Sequence, residues 1–266
     1  MKYIFWNTNK KTGINQYLEK LLAVYAPDFL GLAEYNANGE ALAKAMMAKG
    51  LEYAYIPGIG SRLDIFYKGK ASKVVHCADS RYYTVKKIPY GRSWQFIVVV
   101  HLPSKLYSDN ANGNAEILRE ILADVAQSRA GGVTNKVVLV GDFNMNPFES
   151  PLVEATSLQA ISSRAMVQRR QSRVFHGRNR EFYYNPMWNF LGDEKYPVGS
   201  YYYKSPDNAA MYWNTFDQFI VNGELAGDVM VERTKLIDHI DTLQLANENG
   251  EPVVSDHFPL YFEIGE

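Results

Sequence analysis

Six stretches of this sequence place polar side chains at the end of an apolar run or inside one. "IFWNTN" ends in Asn7 and Asn9, "FLGLAE" ends in Glu34, and "FIVVVHLPS" carries His101. "VVLVGDFNMNP" delivers Asp142 and Asn144, "TFDQFIV" holds Asp217, and "PVVSDHFP" holds Asp256 and His257. Each residue alone reads as a turn cap or a solvated strand end, because Gly, Asn, Asp and Pro favour turns. Together, the carboxylates and amides are hard oxygen donors suited to Mg²⁺ or Mn²⁺, and no cysteine joins them to suggest a thiolate zinc site. With no evident serine or cysteine nucleophile, the inventory points to metal-assisted attack by water. The metal would neutralise a phosphate, a carboxylate or Asn would position the water, and histidine would handle protons or phosphate charge.

The surrounding pattern supplies elements to hold these groups. Short apolar runs predict strands at residues 2–6, 28–34, 62–68, 80–88, 94–102, 136–141, 215–221 and 253–264. Ile14, Tyr17, Leu18, Leu21, Leu22 and Tyr25 recur at helical spacing, as do Ile117, Leu118, Ile121, Leu122 and Val125. Residues 39–50 predict a further helix stopped by Gly50, and 149–155 a short one opened by Ser150 and Pro151. Gly141 is expected to let the chain turn and Pro147 to stiffen the exit. Residues 160–215 have weak periodicity and are rich in Arg, Tyr, Asn and Pro. Several strands run consecutively between helices, which predicts a mixed-sheet α/β domain over a purely parallel doubly wound sheet. No repeat or linker divides residues 1–266, so one catalytic domain is expected.

Bulk properties narrow the class. The 266 residues are 47% hydrophobic and carry a net charge of -1, enough for a sizeable core and without the global basic field of many tight DNA binders. Cys77 is the single cysteine, which excludes an internal disulfide and fits a reducing compartment. No apolar h-region follows Met1, and no run approaches the roughly 18 apolar residues of a membrane span. The expectation is a cytoplasmic protein without membrane contact or an evident obligate protein partner.

In order, "WNTN", "LAE", "VVHLPS", "GDFNMNP", "FDQFIV" and "SDHFP" resemble the endonuclease/exonuclease/phosphatase superfamily, the DNase I-like fold, from residue 6 to residue 259. The resemblance implies a four-layer α/β sandwich, two packed mixed β-sheets flanked by helices, with a site where loops of both sheets converge. It implies Glu34 as principal metal ligand supported by Asn7, with Asp256 at or near the metal. Asp142 and Asn144 would orient the attacking water and the scissile phosphate. His257, held by Asp217, would contact the phosphate, and His101 would sit near the leaving oxygen, its orienting carboxylate unidentified. Asn9 stands where some members have Asp. As residues at strand ends, Asp142 and His257 are expected to be removable without loss of the fold.

Substrate class is less constrained, because one fold hosts many substrates. Residues 164–180 contain Arg164, Arg169, Arg170, Arg173, Arg178 and Arg180 and no acidic residue. This is either a phosphate-binding patch beside the cleft or a solvated face. Clustered aromatics at 181–190 and 199–214, among them Trp188 and Tyr202, either stack on unpaired bases or pack between sheet and loops. A metal-dependent nuclease acting on DNA or RNA is the leading expectation. The alternatives are a phosphatase or phosphodiesterase of small or lipid-linked esters, and a catalytically dead scaffold. Asp238 and His239 in "LIDHID" are read as surface, His76 and His176 as unremarkable, and Asp64 as a mid-strand residue with a small claim on the site.

Overall fold

The structure is a computed structural model that describes residues 1–60, 62–104, 111–204 and 212–265. Its first sheet has six strands in the order Lys235–Leu236, Leu260–Glu263, Lys2–Asn7, Phe29–Ala33, Leu63–Lys68 and Tyr53–Ile56. The second has seven, in the order Val75–Asp79, Tyr83–Tyr90, Ser93–His101, Val137–Asp142, Asp217–Asn222, Tyr183–Tyr184 and Ala160–Ile161. Each sheet is antiparallel apart from a few parallel pairs. Lys2–Asn7 runs parallel to Phe29–Ala33, and Ser93–His101 runs parallel to Val137–Asp142. Parallel neighbours need a long crossover, and the helices Asn15–Tyr25 and Ala111–Arg129 supply it.

Strand alternation explains the layers. In the second sheet Ile97, Val99, Val138, Val140, Phe219 and Val221 join the core between the sheets. The alternate residues Val98, Val100, Val137, Leu139 and Ile220 pack with Leu118, Ile121 and Val125 of the long helix. Phe219 stacks on Phe262 of the other sheet at 3.9 Å, each ring contributing about 2–3 kcal/mol by burial. Helices Asn15–Tyr25 and Gly39–Ala48 bury Leu18, Leu21, Leu22, Leu42 and Met46 on the outer side of the first sheet. The result is the expected four-layer α/β sandwich.

Departures from the sequence reading are local. Tyr53–Ile56 and Val75–Asp79 are half-exposed edge strands without apolar alternation. Of residues 253–264 only Leu260–Glu263 is a strand of the sheet. Gly141 does not turn the chain; it lies inside the strand Val137–Asp142, at φ +154, where a Cβ would overlap the backbone carbonyl of Val100. Gly141→Ala must therefore push two central parallel strands apart. It is expected to lower stability by about 3 kcal/mol or more, which a urea melt would read. An unchanged midpoint would mean that the strands yield freely there.

Candidate active site

Strand register brings the polar ends to one edge of the sandwich. Asn7 pairs with Ala33, so Glu34 follows immediately beside it, and His101 pairs with Asp142, which pairs in turn with Asp217. The segment Ser255–His257 crosses to the same edge and is pinned there. Ser255 Oγ donates to Asn7 O at 2.7 Å, and Trp6 Nε1 donates to His257 O at 2.9 Å. Glu34, Asn144, Asn9 and Lys10 all take left-handed backbone conformations, with φ between 45° and 54°. Such conformations cost a non-glycine residue roughly 1–2 kcal/mol, and strain of this kind concentrates at functional sites.

These side chains open on a cavity of about 870 Å³ lined by Asn7, Asn9, Glu34, His101, Asp142, Asn144, Asp256 and His257. Asp142 is its hub. Asp142 Oδ2 accepts from Asn7 Nδ2 at 2.9 Å and faces His101 Nε2 and His257 Nε2, each at 3.8 Å. Asp142 Oδ1 accepts from Asn144 N at 2.9 Å, and Asn144 Nδ2 donates to Leu102 O. Asn7 Oδ1 accepts from Asn9 N. Among the described residues the carboxylates near His101 are Glu34, whose Oε1 lies 3.6 Å from its Nε2, and Asp142. Both Asp142 and His257 are buried, 1% and 5% exposed, so the premise that they lie at strand ends outside the core is corrected.

Behind His257, its Nδ1 meets Asp217 Oδ2 at 2.7 Å, while Asp217 N donates to Ser200 Oγ. Burial pulls the imidazole pKa down, but Asp217, Asp142 and Asp256 together outweigh it and push His257 up to about 10. Because that value lies above the ordinary 6.5, the pair contributes stability that is complete below pH 6.5 and is lost as pH rises through about 10. Asp217→Asn is expected to lower the His257 pKa and to remove this part of the alkaline destabilisation. NMR titration of the imidazole and melts of both proteins between pH 6 and 10 would measure it, and identical titration curves would contradict the pairing.

Two groups of donors at this edge could meet a divalent metal. Asp142, Asp217 and His257 bring ligand atoms within 4.8 Å of one another. Asp217 is fully buried and closed on His257, however, so an ion there would break a short buried hydrogen bond. Glu34 and Asp256 are 18% and 34% exposed, with carboxylates on the cavity, and Asn7 adds an amide oxygen. That oxygen-rich open side fits a hard divalent cation.

Sequence reasoning missed further lining residues, Lys10, Arg62, Arg81, Tyr82 and Tyr201. Lys10 Nζ lies 3.3 Å from Glu34 Oε2, and the Tyr201 ring lies 4.6 Å from the His257 ring. Adjacency to Asn9 was a signal for Lys10. Arg62 and Arg81 enter through strand pairing, since Arg62 O accepts from Glu34 N and Tyr82 O from His101 N.

Arg164, Arg169, Arg170, Arg173, Trp188 and Tyr202 do not line the cavity. The segment that carries the arginines joins the sheet where Tyr183 pairs with Asn222, whereas the cavity lies at the Asp217 end of that strand. Five residues of strand separate the two by about 17 Å. Trp188 sits in the turn Pro186–Phe190, and Tyr202 donates its hydroxyl to Glu251. Asp64 accepts from Tyr55 and does not line the cavity; His239 pairs with Asp238 at the surface. Residues 205–211 of the second aromatic cluster lie outside the described residues.

A family model described as the Endonuclease/Exonuclease/phosphatase family matches residues 4–257. No curated protein matches the chain in sequence. Among solved structures, the 3′ phosphatase NExo from Neisseria, bound to a product DNA hairpin, is similar at 16% identity, with 100% of both chains covered and a TM-score of 0.60. D. rerio TDP2 in complex with a single-strand DNA product is similar at 16% identity, covering 98% of this chain and 97% of that one, TM-score 0.58. The human Nocturnin catalytic domain with a bound sulfate anion is similar at 11% identity, covering 98% and 93%, TM-score 0.55.

Proposed function

The chain belongs to the Endonuclease/Exonuclease/phosphatase family, a family of divalent-metal-dependent phosphoesterases, and from that premise we propose that it is a nuclease hydrolysing DNA or RNA with Mg²⁺ or Mn²⁺. One observation carries the reading: Asp142 Oδ2 stands between the Nε2 atoms of His101 and His257 at the foot of a cleft with Glu34 on one side. Bound by Glu34 with Asp256 and Asn7, a divalent cation would supply charge neutralisation at the phosphate.

In the proposed reaction Asp142 Oδ2 takes the proton of the attacking water, while Asn7 and Asn144 hold the carboxylate in place. His257, tied to Asp217 through Nδ1, keeps its proton on Nε2 and offers it to a non-bridging phosphate oxygen. Proximity of His101 Nε2 to Glu34 supports a role near the leaving oxygen. Lys10, Arg62 and Arg81 suit flanking phosphates, and Tyr82 on the cavity suits an unpaired base. The DNA held by the D. rerio and Neisseria relatives supports nucleic acid as the substrate. Among the described residues, no helix is long and apolar enough to cross a membrane.

Hydrolysis assays of the purified protein with Mg²⁺, Mn²⁺ or EDTA test the proposal. The panel is single- and double-stranded DNA, RNA, an abasic duplex, a 3′-phosphorylated DNA end, an inositol phosphate and a nucleotide monoester. Metal-dependent cleavage inside or at the end of a nucleic acid is expected. Activity confined to the small esters would overturn the nuclease reading.

A further inference from the structure

The arginine-rich segment is not part of the cleft, and its own geometry gives it a purpose. Helix Arg164–Arg170 is followed by the hairpin of Ser172–Phe175 with Arg178–Glu181. Hairpin register sets Arg173 opposite Arg180 and Phe175 opposite Arg178, so three arginines and an aromatic ring share one face. Like charges directly opposite destabilise a strand pair, so this register works against the hairpin unless an anion lies across it. Arg173 lies over the Phe175 ring at 5.4 Å, while its Nε donates to Gln159. On the helix, Arg169 and Arg170 fall in the last turn, where the helix dipole favours cations; that accounts for two of the six.

Among the described residues the set is short of carboxylates. Among the described residues none of the six arginines forms an ion pair, and Glu181, at the hairpin's end, is already taken by Arg129 at 2.8 Å. Glu224 and Asp228 on the adjoining segment leave six cations against two anions. Arg169, Arg170, Arg173 and Arg178 are exposed.

We propose that this helix and hairpin form a second nucleic-acid-binding surface, separate from the cleft, which grips the phosphate backbone of a strand beyond the bond being cut. The inference rests on the nuclease reading of the cleft. Guanidinium groups with an aromatic partner suit phosphates and bases better than an acidic peptide, which offers carboxylates alone. Tethering a long strand at both places raises the effective concentration of each for the other. With about 17 Å of connecting strand between the two places, a strand of roughly 20–30 nucleotides has length to contact both by a curved path, whereas one of roughly four nucleotides is used up by contacts at one of them.

The test is binding of 4- and 30-nucleotide single-stranded DNA from 50 to 200 mM salt, in an Asp142→Asn background that arrests cleavage. The triple variant R169Q/R170Q/R178Q is compared with R169K/R170K/R178K. The Gln variant is expected to lose about tenfold in its preference for the long strand, and its slope of log K against log salt should shrink by about two, from roughly 0.7 per lost contact. The Lys variant keeps both, because it keeps the charge. Equal slopes and preference in all three proteins would overturn the proposal, as would a Lys variant that fails like the Gln variant. Displacement of the long strand by poly-glutamate as readily as by DNA would reassign the surface to an acidic protein partner. Hydrolysis by the unsubstituted protein reads the cleft separately. Arginine-dependent binding without any cleavage would sink the nuclease reading alone, and cleavage without that dependence would sink the second surface alone.

Discussion

Asp142→Asn is expected to lower turnover on the cleaved nucleic acid by about three orders of magnitude at saturating metal, with substrate affinity changed far less. Asparagine matches the carboxylate in shape but cannot take a proton from water. The substitution also withdraws a negative charge 3.8 Å from each of two imidazole Nε2 atoms, so the His257 pKa should fall with it. Its effect on the fold is smaller but measurable. Asp142 accepts on both oxygens, from Asn7 Nδ2 and from Asn144 N, and an amide can satisfy only one of those donors. One buried donor left facing another costs about 1–3 kcal/mol, seen as a melting point lowered by a few degrees in a cooperative transition. Asp142→Ala would confound the two effects, which makes asparagine the better probe. Near-normal turnover in a folded Asp142→Asn protein would remove Asp142 from the role of base.

Much of this site was legible because its groups close apolar strands, and strands carry a clear pattern. Asn7, Glu34, His101, Asp142 and Asp217 each end, begin or immediately follow a buried strand, and the parallel pairs bring those ends to one edge. Asp256 and His257 fall just outside this logic. The sequence suggested a strand through them, yet Ser255, Trp6 and Ser200 hold them in a loop that feeds the cavity. Gly141 was visible as special for a reason that turned out to be close strand packing, since a glycine before Asp reads equally as a turn. The arginines of 164–180 could be counted but not located. Which end of Asp217–Asn222 they approach depends on whether their connection pairs at Asp217 or at Asn222, and local composition says nothing about that. Arg62 and Arg81 were invisible for the opposite reason: a single exposed arginine beside a strand has no pattern until its neighbours across the sheet are known.

Glu34→Gln is expected to weaken divalent-metal binding by about tenfold to a hundredfold, and the metal concentration for half-maximal activity should rise with it. The change removes one negative charge from the open side of the cavity and keeps the side chain's length. Glutamine still offers an oxygen, so a weak site remains rather than none. Calorimetric titration with Mg²⁺ or Mn²⁺ measures the loss without any substrate present. Global stability should change little, because Glu34 is partly exposed and its ion pair with Lys10 is solvated on the lysine side. The same titration decides between the two groups of carboxylates at this edge. If Glu34→Gln leaves the metal curve unaltered while Asp217→Asn abolishes it, the ion belongs with Asp142, Asp217 and His257, and the buried histidine–carboxylate pair is a ligand set rather than a support. The opposite result follows from the structure as described: Asp217 has no exposure and a partner at 2.7 Å, whereas Glu34 faces the cavity.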